Sequence, residues 1–306
     1  MIKKILISMF LGLASLSLSA QSISRDMMIM FTKDWTGDRF DDGRPKVPDD
    51  LLKRVKNISI EEAWGYLRSK GYNNQFDGGW EMIHEDIPIV GRALTAQYMP
   101  KRSDIMEPLQ EKGNEEGRIG AMNSWPIDAL VMGDVYVADA FSKVIDGTLI
   151  GDNLGNAIYA KSGNGVVFDA GLRDLEGLEN IEGFNAFVRG WDPSYLMEVM
   201  LTGINTPIRI GRATVLPGDV VLAKREGVIF IPAHLAKETV LHAEFVALRD
   251  SFGHLRLKEG KYTPGQIDSQ WTEAIKQDFL KWLDQNSDLL PMSKEELDVY
   301  MKSRTW

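Results

Sequence analysis

Three charged residues have types and a spacing that chemistry could use: Asp152, and then, after twenty intervening residues, the pair Arg173-Asp174. A divalent cation needs a hard carboxylate oxygen, and an arginine offers a planar cation to a substrate carboxylate. Taken alone, an Arg-Asp dipeptide is usually a surface ion pair worth little, and a Gly-Asp step is usually a turn. What matters is the unit that presents them. From Gly147 to Leu178 the chain reads as a loop, a helix, a buried strand and a second loop. Gly151-Asp152 opens an apolar helical segment carrying Leu154, Ala157 and Ile158, and Gly163 and Gly165 end it. Gly165-Val-Val-Phe168 is a short apolar run suited to a buried strand. Such a unit brings two loops to one end of a sheet. The first offers backbone N–H groups at a helix N-terminus, which favour an anion, and the second delivers Arg173 and Asp174 after Gly171. An anion cradle facing a cation and a metal-capable carboxylate is a minimal kit for holding a 2-oxo acid on a divalent ion.

The same residues carry a family resemblance. Asp152, twenty residues and Arg173-Asp174 resemble the D-x20-R-D signature of the RraA-like family, in particular its metal-dependent 4-hydroxy-4-methyl-2-oxoglutarate / 4-carboxy-4-hydroxy-2-oxoadipate aldolases. Gly133-Asp-Val-Tyr-Val-Ala-Asp139 is similar to the family's G-D-V-x-V-x-D strand, and Phe187-Val-Arg-Gly190 to its P-V-F-A-R-G turn. Pro207 to Gly211 followed by Val215 to Val221 resembles its P-V-x-I-G…V-x-P-G-D-x-V stretch. The resemblance covers roughly residues 50 to 250. It implies an α/β protein of the swivelling β/β/α layered type with flanking helices, here with a C-terminal helical extension.

The resemblance also implies roles. Asp174 would be the direct ligand of Mg2+ or Mn2+, which otherwise keeps several waters. Arg173 would pair with the substrate carboxylate and steady an enolate oxygen. Asp152 would act through water on the ion as base or acid, and the backbone N–H groups of Gly151, Asp152, Asn153 and Leu154 would hold the carboxylate. The implied reaction is retro-aldol cleavage of a 4-hydroxy-2-oxo acid to pyruvate and a second oxo compound, with oxaloacetate decarboxylation as a related activity and no organic cofactor. The aldolases also bring an acid from a neighbouring subunit's C-terminal helix, for which Glu244 and Asp250 are the candidates here. The assembly implied is a homotrimer or homohexamer with sites between subunits.

Composition bounds the rest. The 306 residues, 44% hydrophobic and 26% charged, can bury a sizeable core. Lys3-Lys4, an apolar run from Ile5 to Leu18 and Leu-Ser-Ala20 before Gln21 form a secretory signal peptide over residues 1–20, too short for a membrane span, with an uncleaved anchor as the competing reading. The mature protein is then expected to be periplasmic or secreted, free of the membrane. The formal charge is −9, from 35 basic and 44 acidic residues, and loss of two lysines with the leader takes it to −11. An acidic exported protein is a poor partner for nucleic acid. There is no cysteine, which excludes disulfides, thiol chemistry and lipid acylation of the leader.

Further organisation follows from punctuation. Residues 21–46 read as a polar, solvated lead-in; its Asp38, Asp41 and Asp42 lack calcium-loop spacing. Residues 47–255 read as the catalytic domain and 256–306 as the extension. Pro48 begins two helical segments, the second capped by Ser59 with Glu62 three residues on and ended at Gly71. Ile89 to Tyr98 reads as the first strand. The polar stretch 101–120 reads as a loop, either solvated or a lid or oligomer contact. Short strands are expected at about 184–189, 206–210, 213–216, 219–223 and 227–231, then a helix from Pro232 through Leu248. In the extension, Trp271, Ile275, Phe279 and Trp282 have helical spacing and Ser293 starts another helix.

Other candidates are weaker. The four histidines show no zinc-hydrolase spacing. Lys143 and Lys161 would serve a Schiff-base aldolase, but nothing in the sequence marks either as desolvated. Leu222-Ala-Lys-Arg-Glu-Gly227 stands where the family has V-A-D-x-D-G, replacing acidic positions with basic ones: an added anion site or an altered turn. Eight tryptophans keep a carbohydrate-derived substrate open. The rival functions are therefore an exported lyase or isomerase acting on an oxidised sugar, and a non-catalytic protein-binding module.

Overall fold

The computed structural model describes residues 21–302, so the leader assigned to residues 1–20 lies outside it. The chain begins with helices α1 (Arg25–Phe31), α2 (Asp49–Val55) and α3 (Ile60–Ser69) and the short strands β1 (Phe76–Asp77) and β2 (Glu81–Met82). Strand β3 (Ile89–Pro100), helix α4 (Ser103–Glu115), the single turn α5 (Trp125–Asp128) and strand β4 (Asp134–Thr148) lead into α6 (Asp152–Ser162), β5 (Val166–Leu172) and α7 (Leu175–Glu179). Next come β6 (Ala186–Val188), β7 (Gly190–Trp191), β8 (Val199–Ile204), β9 (Ile208–Ile210), β10 (Ala213–Val215), β11 (Val220–Lys224) and β12 (Gly227–Ile231). The chain closes with α8 (Ala236–Lys258), α9 (Pro264–Ile267), α10 (Glu273–Gln285) and α11 (Lys294–Lys302).

One mixed sheet organises these elements in the order β1-β12-β11-β3-β4-β5-β6-β2, with β7 on β5 and β8 on β3. Its centre, β3-β4-β5-β6, is parallel, and such strands are covered on both faces. Alternation in register sorts their side chains. Leu94, Tyr136, Phe168 and Ala170 point into a core shared with α5, α6 and α7, whereas Ala93, Val135, Val137 and Val167 meet the β9-β10 hairpin on the other face. A third core lies between β11-β12 and helices α2, α3 and α8. The result is the β/β/α layering that the resemblance implies.

The local signals explain the elements they marked. Ser59 Oγ accepts from Glu62 N–H at 3.1 Å and starts α3, and Gly71, with φ +89°, follows its end. Gly163, with φ +64°, closes α6, its N–H donating to Tyr159 C=O. Trp64 of α3 is exposed and lies under the Arg68 guanidinium. The extension packs on its own chain: Phe245 and Phe252 of α8 meet Trp271, Phe279 and Trp282 in a fourth, aromatic core.

Three expectations are corrected. The lead-in is not a solvated strand of polar chain. It contains α1, and Arg44 is 2% exposed, bonded to Asp42 and, at 3.1 Å, to the fully buried Asp134 at the start of β4. Burial pushes the Asp134 carboxyl above its usual range, and Arg44 and Arg92 pull against that shift. The 101–120 stretch is also not a loop: α4 occupies 103–115, carries Pro108 within it, and sets Met106 and Leu109 against the core. Finally, β8 is a buried strand that the sequence reading left out.

Candidate active site

The unit from Gly147 to Leu178 folds as its punctuation implies, and its two loops meet at the C-terminal end of the parallel β4-β5 pair. Leu149 N–H donates to Gly171 C=O at 3.1 Å, and Arg173 N–H to Ile150 C=O at 3.3 Å, so the loops are laced together by backbone. Asn123 Nδ2 donates to Leu149 C=O at 2.6 Å from the far side. The cleft between them encloses about 250 Å³, and its lining includes the whole run from Thr148 to Leu154 together with Arg173 and Asp174.

Close approach of backbone and side chain defines the geometry. A Cβ at Gly151 would overlap a carboxylate oxygen of Asp174, reach its Cγ at 3.1 Å and reach Arg173 Nε at 3.2 Å. The Asp174 carboxylate therefore rests on the bare Cα at the N-terminus of α6, where the helix dipole favours a negative charge. Gly177 does the same for Asp152, whose Cβ and Oδ2 lie 2.7 and 2.8 Å from where a methyl would stand. Arg173 Nε is 3.7 Å from Asp174 Oδ2, and both side chains remain about 40% exposed toward the cleft.

Asp174 itself is held in a left-handed conformation, φ 59° and ψ 43°, which costs a non-glycine residue on the order of 1 kcal/mol or more. It occupies the N-cap of α7 yet makes no capping bond with its side chain. The carboxylate that would normally be used on the helix is left for the cleft. Of the four N–H groups assigned to the cradle, that of Asn153 is already used, donating to Asp152 Oδ1 at 2.8 Å. Anion binding there rests on Gly151, Asp152 and Leu154.

Behind the cleft, Arg189 clamps the sheet. Its Nε donates to the buried Asp169 at 2.7 Å, its terminal nitrogens bond Asp77 and the Gly78 carbonyl, and its guanidinium lies 3.7 Å from the Trp80 ring centroid. Ser142 Oγ donates to the same Asp169 oxygen. This network fixes β7 beside Gly171 and Leu172, the last residues before Arg173.

Several candidates fall elsewhere. Glu244 is buried in α8 with its carboxylate bonded to Arg54 of the same chain at 2.6 and 2.9 Å. Asp250 is exposed on the same helix, which packs on α2 and α3 and not at this cleft. Lys143 pairs with Glu198 and Lys161 with Asp128. The Lys224-Arg225-Glu226 turn joins β11 to β12 beside Ile89, at the opposite end of the sheet, where Lys224 Nζ donates to Ile58 C=O. It is no part of the cradle, and Arg225 there pairs with Glu85.

Sequence reasoning missed Asn123, Tyr195 and Leu196, which also line the cleft. Tyr195 and Leu196 follow Ser194, whose hydroxyl accepts from Asp146 N–H and whose carbonyl accepts from Thr148 Oγ1. No local signal marks them, because loop closure brings them in from more than twenty residues away.

The β/β/α sheet thus carries an Asp-Arg-Asp cleft at the carboxyl ends of its parallel strands, where open α/β sheets form a crevice. The family model for RraA-like proteins, described as Aldolase/RraA, matches residues 57–230, more than half of the chain, and the chain belongs to that family. Solved structures share the fold at low identity. An uncharacterised protein from Pseudomonas syringae pv. tomato is 22% identical with a TM-score of 0.59, covering 74% of this chain and 100% of that one. RraAS2 of Streptomyces coelicolor, described as an unusual member of the RNase ES inhibitor RraA family, is 24% identical with a TM-score of 0.60, covering 69% and 100%. A third structure, described under novel cellulases from gut-associated microbes, is 20% identical with a TM-score of 0.59, covering 75% and 96%.

Proposed function

We propose that the chain is a divalent-metal-dependent lyase that cleaves a 4-hydroxy-2-oxo acid to pyruvate and a second oxo compound. The observation that carries this reading is the Asp174 carboxylate, unused by its own helix, seated on Gly151 and flanked by Arg173. The donor set fits Mg2+ or Mn2+. Among the described residues no three His, Cys, Asp or Glu side chains converge on one point. Asp174 would therefore be the protein's carboxylate ligand, in keeping with an ion that retains several waters and takes oxygens from its substrate. When bound, such an ion supplies Lewis acidity at the 2-oxo group.

The chain's own residues do the rest. The N–H groups of Gly151, Asp152 and Leu154 hold the substrate carboxylate at the helix N-terminus. Arg173 orients that carboxylate and offsets charge that develops on the 2-oxo oxygen. Asp152, fixed against Gly177, removes the proton of the 4-hydroxyl. The C3–C4 bond breaks, its electron pair passes to the C2–C3 bond, and C3 takes up a proton to give pyruvate. The same flow of electrons releases carbon dioxide from oxaloacetate.

A second reading draws on Tyr195, 58% exposed beside the cleft, whose ring offers a stacking face to an oxidised sugar. The two readings separate by substrate: pyruvate release from hydroxy-oxo diacids supports the first, and turnover of keto sugars alone supports the second. A non-catalytic protein-binding module would do neither. The proposal includes export by residues 1–20 to the periplasm or medium, tested by sequencing the mature N-terminus, and a homotrimer or homohexamer, tested by light scattering.

A further inference from the structure

A second cleft, with no residue in common with the first, lies between the N-terminal segment, α5 and the end of β8, and encloses about 590 Å³, within the range of small-molecule sites. It is built largely from residues outside the 57–230 core: Ser22 to Arg25, Met28, Asp41 and Asp42 form one wall. Two residues of its lining each carry a buried polar atom with no hydrogen-bond partner in the protein, the indole Nε1 of Trp125 and the amide Oδ1 of Asn205. Trp125 is 2% exposed and Asn205 7%. Each orphaned group carries a desolvation cost that a partner supplied by a ligand would remove.

The side chains are held in place for this. The six-membered edge of Trp125 packs where Gly113 of α4 lacks a Cβ, and Arg118 covers the ring at 5.3 Å. Asn205 sits at φ 52°, its Nδ2 donating to Asp42 Oδ2 at 3.1 Å, which leaves the carbonyl oxygen for another group. The chemistry of the orphans selects the ligand. Trp125 can only donate and Asn205 Oδ1 can only accept, so the occupant must accept from one and donate to the other. A carboxylate or phosphate fails the second requirement and an ammonium fails the first. The cleft's charges are mixed, with Arg25 and Arg118 against Asp41, Asp42 and Asp128, and favour neither ion. Hydroxyl groups meet both requirements. We infer that this cleft binds a neutral carbohydrate through the Trp125 indole N–H and the Asn205 carbonyl, separately from the Arg173-Asp174 cleft.

The test follows the tryptophan indole resonances of the full chain by 15N-resolved NMR during titration with D-glucose, D-galactose and cellobiose, with D-glucuronate and D-glucosamine as charged controls. Trp125→Phe removes the orphaned donor together with the ring edge that packs on Gly113, so Asn205→Gly, which leaves that packing alone, is read beside it. A shift of the one indole resonance missing from Trp125→Phe, caused by at least one neutral sugar, is expected. Binding should weaken by about tenfold in that variant, the loss of one hydrogen bond, with some loss of melting temperature from the smaller ring in the core. Asn205→Gly, which tolerates the positive φ, should weaken binding similarly, and Asp174→Asn should leave it unchanged. Absence of any shift, binding restricted to the charged controls, parent-level affinity in both cleft variants, or loss of binding in Asp174→Asn would each overturn the inference.

Discussion

Replacing Gly151 by alanine isolates the cradle from the rest of the fold. Gly151 has φ −120°, which alanine adopts freely, so the substitution strains no backbone, and by narrowing the unfolded ensemble it favours the folded state by about 0.4–1 kcal/mol. The new methyl would occupy the space of an Asp174 carboxylate oxygen and press on Arg173 Nε at 3.2 Å. Relief is simple for the fold, because Asp174 is about 40% exposed and makes no capping bond, and can swing outward. It is costly for the chemistry, since a misplacement of about 1 Å costs on the order of 10²-fold in rate. Gly151→Ala is thus expected to melt within a degree or two of the parent and to lose about a hundredfold in kcat/KM for pyruvate release. Gly65→Ala is the matched control: its Cβ meets nothing within 4 Å on an exposed face of α3, so stability should rise by roughly 0.5–1 kcal/mol at unchanged activity. Full activity in Gly151→Ala, with its fold intact, would refute the placement of the reacting groups on this cradle.

Four more outcomes follow from particular residues. Arg173→Lys keeps the charge but loses the planar pair of donors, and kcat/KM should fall by about 10–100-fold with no change in melting temperature. Arg54→Ala strands the buried Glu244 and should cost about 3 kcal/mol in urea unfolding, whereas Glu244→Gln should keep kcat/KM within about twofold, as befits a residue outside the site. Burial raises the Asp219 carboxyl to about 7, against hydrogen bonds from the Leu216 and Ala233 backbone. Between its ordinary range near 4 and about 7 the folded chain holds a proton that the unfolded chain has lost, so stability falls as pH rises through that window, by up to about 4 kcal/mol, and Asp219→Asn should flatten the curve between about pH 4 and 7. Asp278 has the opposite sign: although burial opposes it, bonds from Arg256 and Lys261 lower it to about 2, so its stabilisation is present above pH 4 and is lost as pH falls toward 2, a decline that Asp278→Asn should remove from an acid unfolding curve.

How far the sequence could be read depended on the range of the interaction. Glycines at 151, 163 and 171 punctuate a helix and a strand within thirty residues, and local geometry alone then brings Asp152 near Arg173 and Asp174. The Ser59 cap and the Trp271-Ile275-Phe279-Trp282 spacing are likewise local, and both elements formed where expected. The lead-in shows the limit. Its polar, Asp-rich composition describes a solvated segment, but Arg44 satisfies Asp134 ninety residues away, and no periodicity records such a pair. Helix α4 was obscured by its charge and by Pro108, since only Met106, Leu109 and Gly113 report the face that packs. Glu244 shows the same limit: an acid in the expected region says nothing of Arg54, which holds it from 190 residues away. Tyr195 and Asn123 reach the cleft by loop closure, and Trp125 and Asn205 gain meaning only from what they lack.

The central claim is that Asp174 serves chemistry on a 2-oxo acid, and its most direct measurement is pyruvate release from 4-hydroxy-4-methyl-2-oxoglutarate and oxaloacetate by protein lacking residues 1–20. The reactions are run with Mg2+, with Mn2+ and with chelator, beside Asp174→Ala. The account predicts pyruvate that requires the added ion and disappears in Asp174→Ala while the melting temperature holds. No pyruvate from either compound by the folded, metal-supplied protein, or equal release by Asp174→Ala, would contradict it.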